Sequence, residues 1–274
     1  MKNRMIKSIG MSIILVLSFS NVAVAEQNNT EPTQEVSAAV KADTLKLVDI
    51  AGRQRMLSQR MAKDYMYVGN KVAVSKAKKQ LEISISEFKT AHDKLVNSIN
   101  DEEIKNLLEF VQMSMEDFEL MIKEPFSADN AQLVLDLSES ILEGSQYVVA
   151  SLREFLNIKA SKIIDVSGRQ RMLSQRIAKY YIAYQSGIKD KNTIDQMNAT
   201  VKLFAESHSM LMINKENTPE VNRQLNGIDK LWKIVNKFYL NIEKGGLPHI
   251  VFSTTDKITK KMNKVTGLYV EIYK

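Results

Sequence analysis

From about residue 39 onward, apolar residues recur every three or four positions, the period of an amphipathic helix, and alternating strand-like runs are few. The pattern predicts helices at about 39–68, 72–98, 102–123, 128–156, 158–186, 191–213, 220–243 and 249–273. Gly69-Asn70, Ser98-Ile99-Asn100, Lys123-Glu124-Pro125 and Gly245-Gly246-Leu247-Pro248 supply breaks between them, and Asp101 and Glu102 place negative charge at the start of the third helix. Only a weak break near Asn157 separates the fourth and fifth helices, which leaves open a single long helix through both. The chain reads as all-α.

The helical pattern is written twice. DIAGRQRMLSQRMAK at residues 49–63 returns as DVSGRQRMLSQRIAK at residues 165–179, with twelve of fifteen positions identical. The same offset of 116 relates Phe88, His92 and Leu95 to Phe204, His208 and Leu211. Toward the end the offset becomes 117, relating Ile141 to Ile258 and Val148 to Val265. Whole units are therefore duplicated, and the expected architecture is two tandem antiparallel four-helix bundles, residues 39–156 and 157–274.

Ahead of them, residues 1–25 have the layout of a secretory signal: basic Lys2, Arg4 and Lys7, an apolar run from Ile9 to Phe19, and Ala23-Val24-Ala25 as a cleavage site. The apolar run is shorter than the roughly 20 residues that span a bilayer, which favours a cleaved signal over an anchor. A polar stretch over residues 26–38 follows as a flexible leader. The expected location is the periplasm, and no later apolar stretch is long enough to cross a membrane.

Removing Lys2, Arg4 and Lys7 lowers the formal charge from +6 to +3, too nearly balanced to argue for nucleic acid. With no cysteine there is neither a disulfide framework nor a lipid-modified N-terminal cysteine. The sequence shows no nucleophile-base signature, glycine-rich phosphate loop or zinc spacing, so neither an enzyme, a cofactor nor a metal site is expected. His92 and His208, without companion ligands at suitable spacing, read as packing residues.

On a helical wheel, Leu47, Ile50, Leu57 and Met61 share the face expected to enter the bundle core, while Val48, Gly52, Arg55, Met56 and Gln59 lie almost opposite. A mid-helix glycine costs about 1 kcal/mol relative to alanine, so this second stripe reads as a surface for close approach of another helix or a ligand. Arginine usage points the same way. Beyond residue 25 the chain holds eight arginines, and Arg53, Arg55, Arg60, Arg169, Arg171 and Arg176 lie inside the repeated phrase. Guanidinium matches planar oxyanions and tolerates burial better than ammonium does. Arg55 and Arg171, each one turn after a glycine (Gly52, Gly168), are the candidate anion ligands, with Gln59 and Gln175 on the same stripe. Asp49–Arg53 and Asp165–Arg169 have the spacing of intrahelical ion pairs, and Arg60 and Arg176 are placed to meet carboxylates of neighbouring helices.

The phrase A/S-G-R-Q-R-M-L-S-Q-R resembles the signature of the PilJ-type sensory domain of type IV pilus methyl-accepting chemotaxis transducers, and is similar to the P-box of NarX-type nitrate/nitrite sensor kinases. The resemblance implies an extracytoplasmic four-helix bundle. In the nitrate sensors one anion sits at a dimer interface between first helices, held by an arginine from each subunit and nearby backbone. Carried over by motif position, those arginines are Arg55 and Arg171, the glycines Gly52 and Gly168, and the second motif arginines Arg60 and Arg176. A tandem duplication could then supply both halves of the site from one chain, as an intrachain pseudo-dimer, although a homodimer with two sites satisfies the same pattern. Three features depart from the nitrate sensors: Asp49 and Asp165 stand where those usually have asparagine, Arg53-Gln54 replaces a smaller or apolar pair, and the membrane helix and output domain are expected to be lacking.

The function expected is a soluble periplasmic sensory or binding protein for a small oxyanion, nitrate or nitrite by resemblance, presented to a separate membrane sensor kinase, chemoreceptor or transporter. The alternative is a ligand-free interaction protein whose duplicated stripe docks onto a PilJ-like or kinase sensory domain. A third reading gives the arginines structural ion pairs only.

Overall fold

The computed structural model describes residues 38–154 and 159–273. The signal and leader readings for residues 1–37, and the joint between the fourth and fifth helices, lie outside the described residues. Among them there are eight α-helices and no strand: α1 (Ala38–Gly69), α2 (Val74–Ser98), α3 (Glu102–Met121), α4 (Ala128–Glu154), α5 (Lys159–Gln185), α6 (Lys191–Met212), α7 (Pro219–Tyr239) and α8 (Pro248–Ile272).

The helix starts have local causes. Asp101 caps α3 by accepting from the Ile104 amide, Asp190 caps α6 through Thr193, and Thr218 caps α7 through Val221 with Pro219 in the first turn. The helix expected at about 220–243 ends early. α7 stops at Tyr239, and the chain tightens into a 3-10 turn, Ile242–Lys244, before Gly245 takes positive φ.

Within the first repeat α1 packs on α2 and α4, and α3 on α4; in the second α5 packs on α6 and α8, and α7 on α8. The most extensive helix–helix contact in the molecule is between the repeats, α1 against α5. The C-terminal halves of these two helices are consequently enclosed on nearly every side. From Gln54 to Tyr67 only Arg60 is not fully buried, and from Gln170 to Tyr184 only Arg176 is not. The second wheel stripe is thus buried like the first, with Gly52 and Arg55 reaching the sister repeat while Gln59 and the other arm of Arg55 reach α4 of the same repeat.

α1 and α5 run parallel. Gly52 and Gly168 converge on the same pair of guanidinium groups, and at the far end Asn70 Nδ2 donates to Ser186 Oγ at 2.5 Å, again between equivalent positions. Matching contacts at two levels define a pseudo-two-fold axis along the helix pair. Around it the repeats form one compact unit.

Candidate functional site

Where α1 and α5 cross, the missing side chains of Gly52 and Gly168 make room for two arginines. A Cβ on Gly52 would lie 3.2 Å from Arg55 Nη2 and 3.4 Å from Arg171 Nη2; one on Gly168 would lie 3.1 Å from Arg171 Nη2 and 3.7 Å from Arg55 Nη2. Side chains lean toward the N-terminus of their helix, which lets each arginine fold back over the glycine one turn earlier. Arg55 is 0 % exposed and Arg171 1 %.

Burying guanidinium requires partners, and they are arranged almost symmetrically. Arg55 Nη2 donates to Asp165 Oδ1 at 2.8 Å and Nη1 to Gln146 Oε1 of α4 at 2.5 Å. Arg171 Nη2 donates to Asp49 Oδ1 at 2.7 Å and Nη1 to Asn263 Oδ1 of α8 at 2.8 Å. Each arginine is therefore held by an amide of its own repeat and a carboxylate of the other. Arg171 Nε also meets the Gly168 carbonyl at 3.4 Å, whereas Arg55 Nε has no partner among the described residues.

The two carboxylates differ. Asp165 is 2 % exposed, and its Oδ2 also accepts from Arg153 at 3.0 Å and Arg169 at 2.9 Å. Burial alone would raise its pKa, but Arg55, Arg169 and Arg153 together hold it below the ordinary carboxylate value. Asp49 is 32 % exposed and meets Arg171. Burial pushes Arg55 down, and the charges of Arg169 and Arg171 add to that, while Asp165 opposes it. The two buried guanidiniums are thus matched by two carboxylates, and the further positive charge of Arg153 and Arg169, each 31 % exposed, sits at the solvent edge of the seam.

The expected Asp165–Arg169 pair is present, but the expected Asp49–Arg53 pair gives way to other partners. Arg171 occupies the Asp49 carboxylate, because a buried guanidinium gains more from it than a half-exposed one can. Arg53 turns instead to Glu87 of α2 at 3.0 Å. Arg60 lies 3.9 Å from the same Glu87, and Arg176 pairs with Glu139 of α4 at 2.5 Å and donates to Gln196. Gln59 and Gln175 are buried on the predicted stripe, yet their amides donate to the Ser138 carbonyl and Thr259 Oγ1, tying α1 to α4 and α5 to α8. The structure does not bring them onto the arginine pair. His92 and His208 stack on Phe88 and Phe204, and His92 Nδ1 meets Gln54 at 3.2 Å.

A second tier of inter-repeat contacts is built from lysine. Lys63 of α1 donates to Asp256 of α8 at 2.9 Å, and its equivalent Lys179 of α5 donates to Glu139 of α4; both lysines are fully buried. Burial lowers Lys179 to about 8 despite Glu139. Burial would raise Glu139, yet Lys179 and Arg176 bring it to about 2. Beside Lys63, Asp64 is buried with its nearest oxygen 3.3 Å from the ammonium, and burial raises it to about 7. Gln146, Asn263, Arg153 and these buried lysines were missed from sequence. The signal for most of them was available: the 117-residue offset relates Gln146 to Asn263 and Glu139 to Asp256.

The family model for the type IV pili methyl-accepting chemotaxis transducer N-terminal region, PilJ, matches residues 38–139 and again 157–246, and the chain belongs to that family. Its members' N-terminal domains are sensory and, in transducers, periplasmic. No curated protein and no solved structure matches this chain. Among the described residues no helix is long and apolar enough to cross a membrane.

Proposed function

We propose that the protein is a periplasmic sensory module that takes a small planar oxyanion, of the nitrate or nitrite type, between Arg55 and Arg171, and reports its occupancy to a separate membrane-bound sensor kinase, chemoreceptor or transporter. The observation that carries the reading is the convergence of two buried guanidiniums, one from each repeat, on Gly52 and Gly168. Arg153 and Arg169 at the edge of the seam add positive charge beyond the two Arg–Asp pairs, which favours an added anion. Because both arginines are buried, an anion reaches them by loosening the α1–α5 contact and exchanging with Asp49 or Asp165. Binding thereby acts on the packing of the two repeats, which is the change a partner could detect.

The ion pairs also favour a second reading, in which Asp49 and Asp165 permanently satisfy the arginines and the seam is structural. Docking of the duplicated stripe onto a partner is less well supported, since α1 and α5 already bury that stripe against each other. Calorimetric titration with nitrate and nitrite, with chloride and sulfate as controls, separates the first two. Saturable binding of one anion per chain, lost in a folded Arg55→Lys/Arg171→Lys variant, supports the sensor; no binding, with a stability loss in the same variant, supports the structural seam.

A further inference from the structure

Beside the arginine seam, α1, α2 and α8 enclose a groove of about 490 Å³, within the range of roughly 300–1,000 Å³ typical of small-molecule sites. Its walls come from both repeats. Five cationic side chains line it, Arg53, Arg60, Lys76, Lys257 and Lys260, against the single lining carboxylate of Asp256. That carboxylate is already engaged by the buried Lys63 at 2.9 Å, by Gln80 at 3.1 Å and by Lys76 at 3.5 Å. Glu87, outside the lining, engages Arg53 and, more distantly, Arg60. Lys257 and Lys260 are exposed and make no ion pair with a carboxylate among the described residues.

The duplication supplies an internal control. The equivalent positions on α4, α5 and α6 keep Arg169 and Arg176, but Lys76 becomes Asn192, Lys257 becomes Ser140, Lys260 becomes Glu143 and Ser253 becomes Asp136. Beside the two guanidiniums there, the corresponding positions carry three carboxylates, Asp136, Glu139 and Glu143, of which Glu139 pairs with Arg176. Packing imposes no excess of positive charge at these positions, since the same fold is built with an acidic set on the other side.

We infer that the α1–α2–α8 groove is a binding site for a small organic or inorganic polyanion, one carrying two or more carboxylate or phosphate groups. Cations spread over three helices suit separated anionic groups, and a lone three-oxygen anion would leave most of the groove unfilled. Asn263 both lines the groove and accepts from Arg171, so an occupant would lie against the amide that orients the seam. The site does not depend on anion binding at the seam.

The test is titration of the purified protein with citrate, succinate and inorganic pyrophosphate, with nitrate and chloride as monovalent controls. Alongside run the Lys257→Ser/Lys260→Glu variant, which writes in the residues of the opposite side, and the Lys230→Ser/Lys237→Glu variant, an equal charge change on α7. We expect at least one polyanion to bind saturably and more weakly as salt is raised, with affinity falling about tenfold or more in the groove variant and little in the α7 variant. Tighter citrate than pyrophosphate assigns carboxylates; the reverse assigns phosphates. Absence of binding by all three polyanions, or equal losses in the two variants, overturns the site. Nitrate heats report on the seam alone, so failure of one site is distinguishable from failure of the other.

Discussion

Arg55 of the first repeat donates to Asp165 of the second at 2.8 Å, while Arg171 of the second donates to Asp49 of the first at 2.7 Å. Each half of the molecule thus carries the countercharge for the other's buried arginine. Removing one partner of a buried pair costs about 3–5 kcal/mol because the remaining charge is stranded. Asp165→Ala strands Arg55 and also releases Arg153 and Arg169, so its loss should fall in that range and exceed that of Asp49→Ala. Urea denaturation of the two variants gives the comparison; equal losses would contradict the asymmetry of the two carboxylates.

Asp49→Asn/Asp165→Asn keeps an oxygen to accept from each arginine but removes two negative charges from the seam. Anion affinity should rise by about tenfold or more, since each charge so close to the site acts across little solvent. The readout is calorimetry with nitrate. Unchanged or weaker binding would mean that the anion does not enter beside these carboxylates.

Alanine at Gly52 sets two effects against each other. Helix propensity favours it by about 1 kcal/mol, while its Cβ would press on both guanidiniums at 3.2 and 3.4 Å. Net stability should change by no more than about 1 kcal/mol, but displaced guanidiniums should bind anion more weakly. Melting curves and anion titration of Gly52→Ala and Gly168→Ala test the two halves of this statement separately.

Asp64 predicts a pH signature. Its folded pKa, about 7, lies above the ordinary 3.8, so the folded protein holds the proton more tightly and this contribution to stability fades as pH rises from about 4 through 7. Asp64→Asn should therefore stabilise the protein by about 2–4 kcal/mol at pH 8 and have little effect near pH 4. Asp165, Asp256 and Glu139, all held low, act in the opposite sense, and their contributions disappear as pH falls below about 4. Comparing the variant with the parent at each pH isolates Asp64.

Much of this was legible in the residues because the controlling interactions are local or periodic. Asp101 and Pro219 mark helix starts by chemistry that acts within one turn, and the wheel separated the stripe of Gly52 and Arg55 from the core face because α1 is long and regular. The ion pairs were not legible in the same way. Asp49 and Arg53 have good spacing for each other, and only the packing of α5 on α1 reveals that Arg171 has the greater need. The amides of Gln146 and Asn263 were hidden for a related reason: nothing in their own helices sets them apart, and their role comes from the helices they face.

The parallel pairing of α1 with α5 has a consequence for how the seam behaves on dilution. When two separate chains form such a pair, the fraction assembled depends on how much protein is present. Joining them in one polypeptide makes the encounter intramolecular. The pairing of α1 with α5, and with it the Arg55–Asp165 and Arg171–Asp49 contacts, therefore does not depend on how much protein is present.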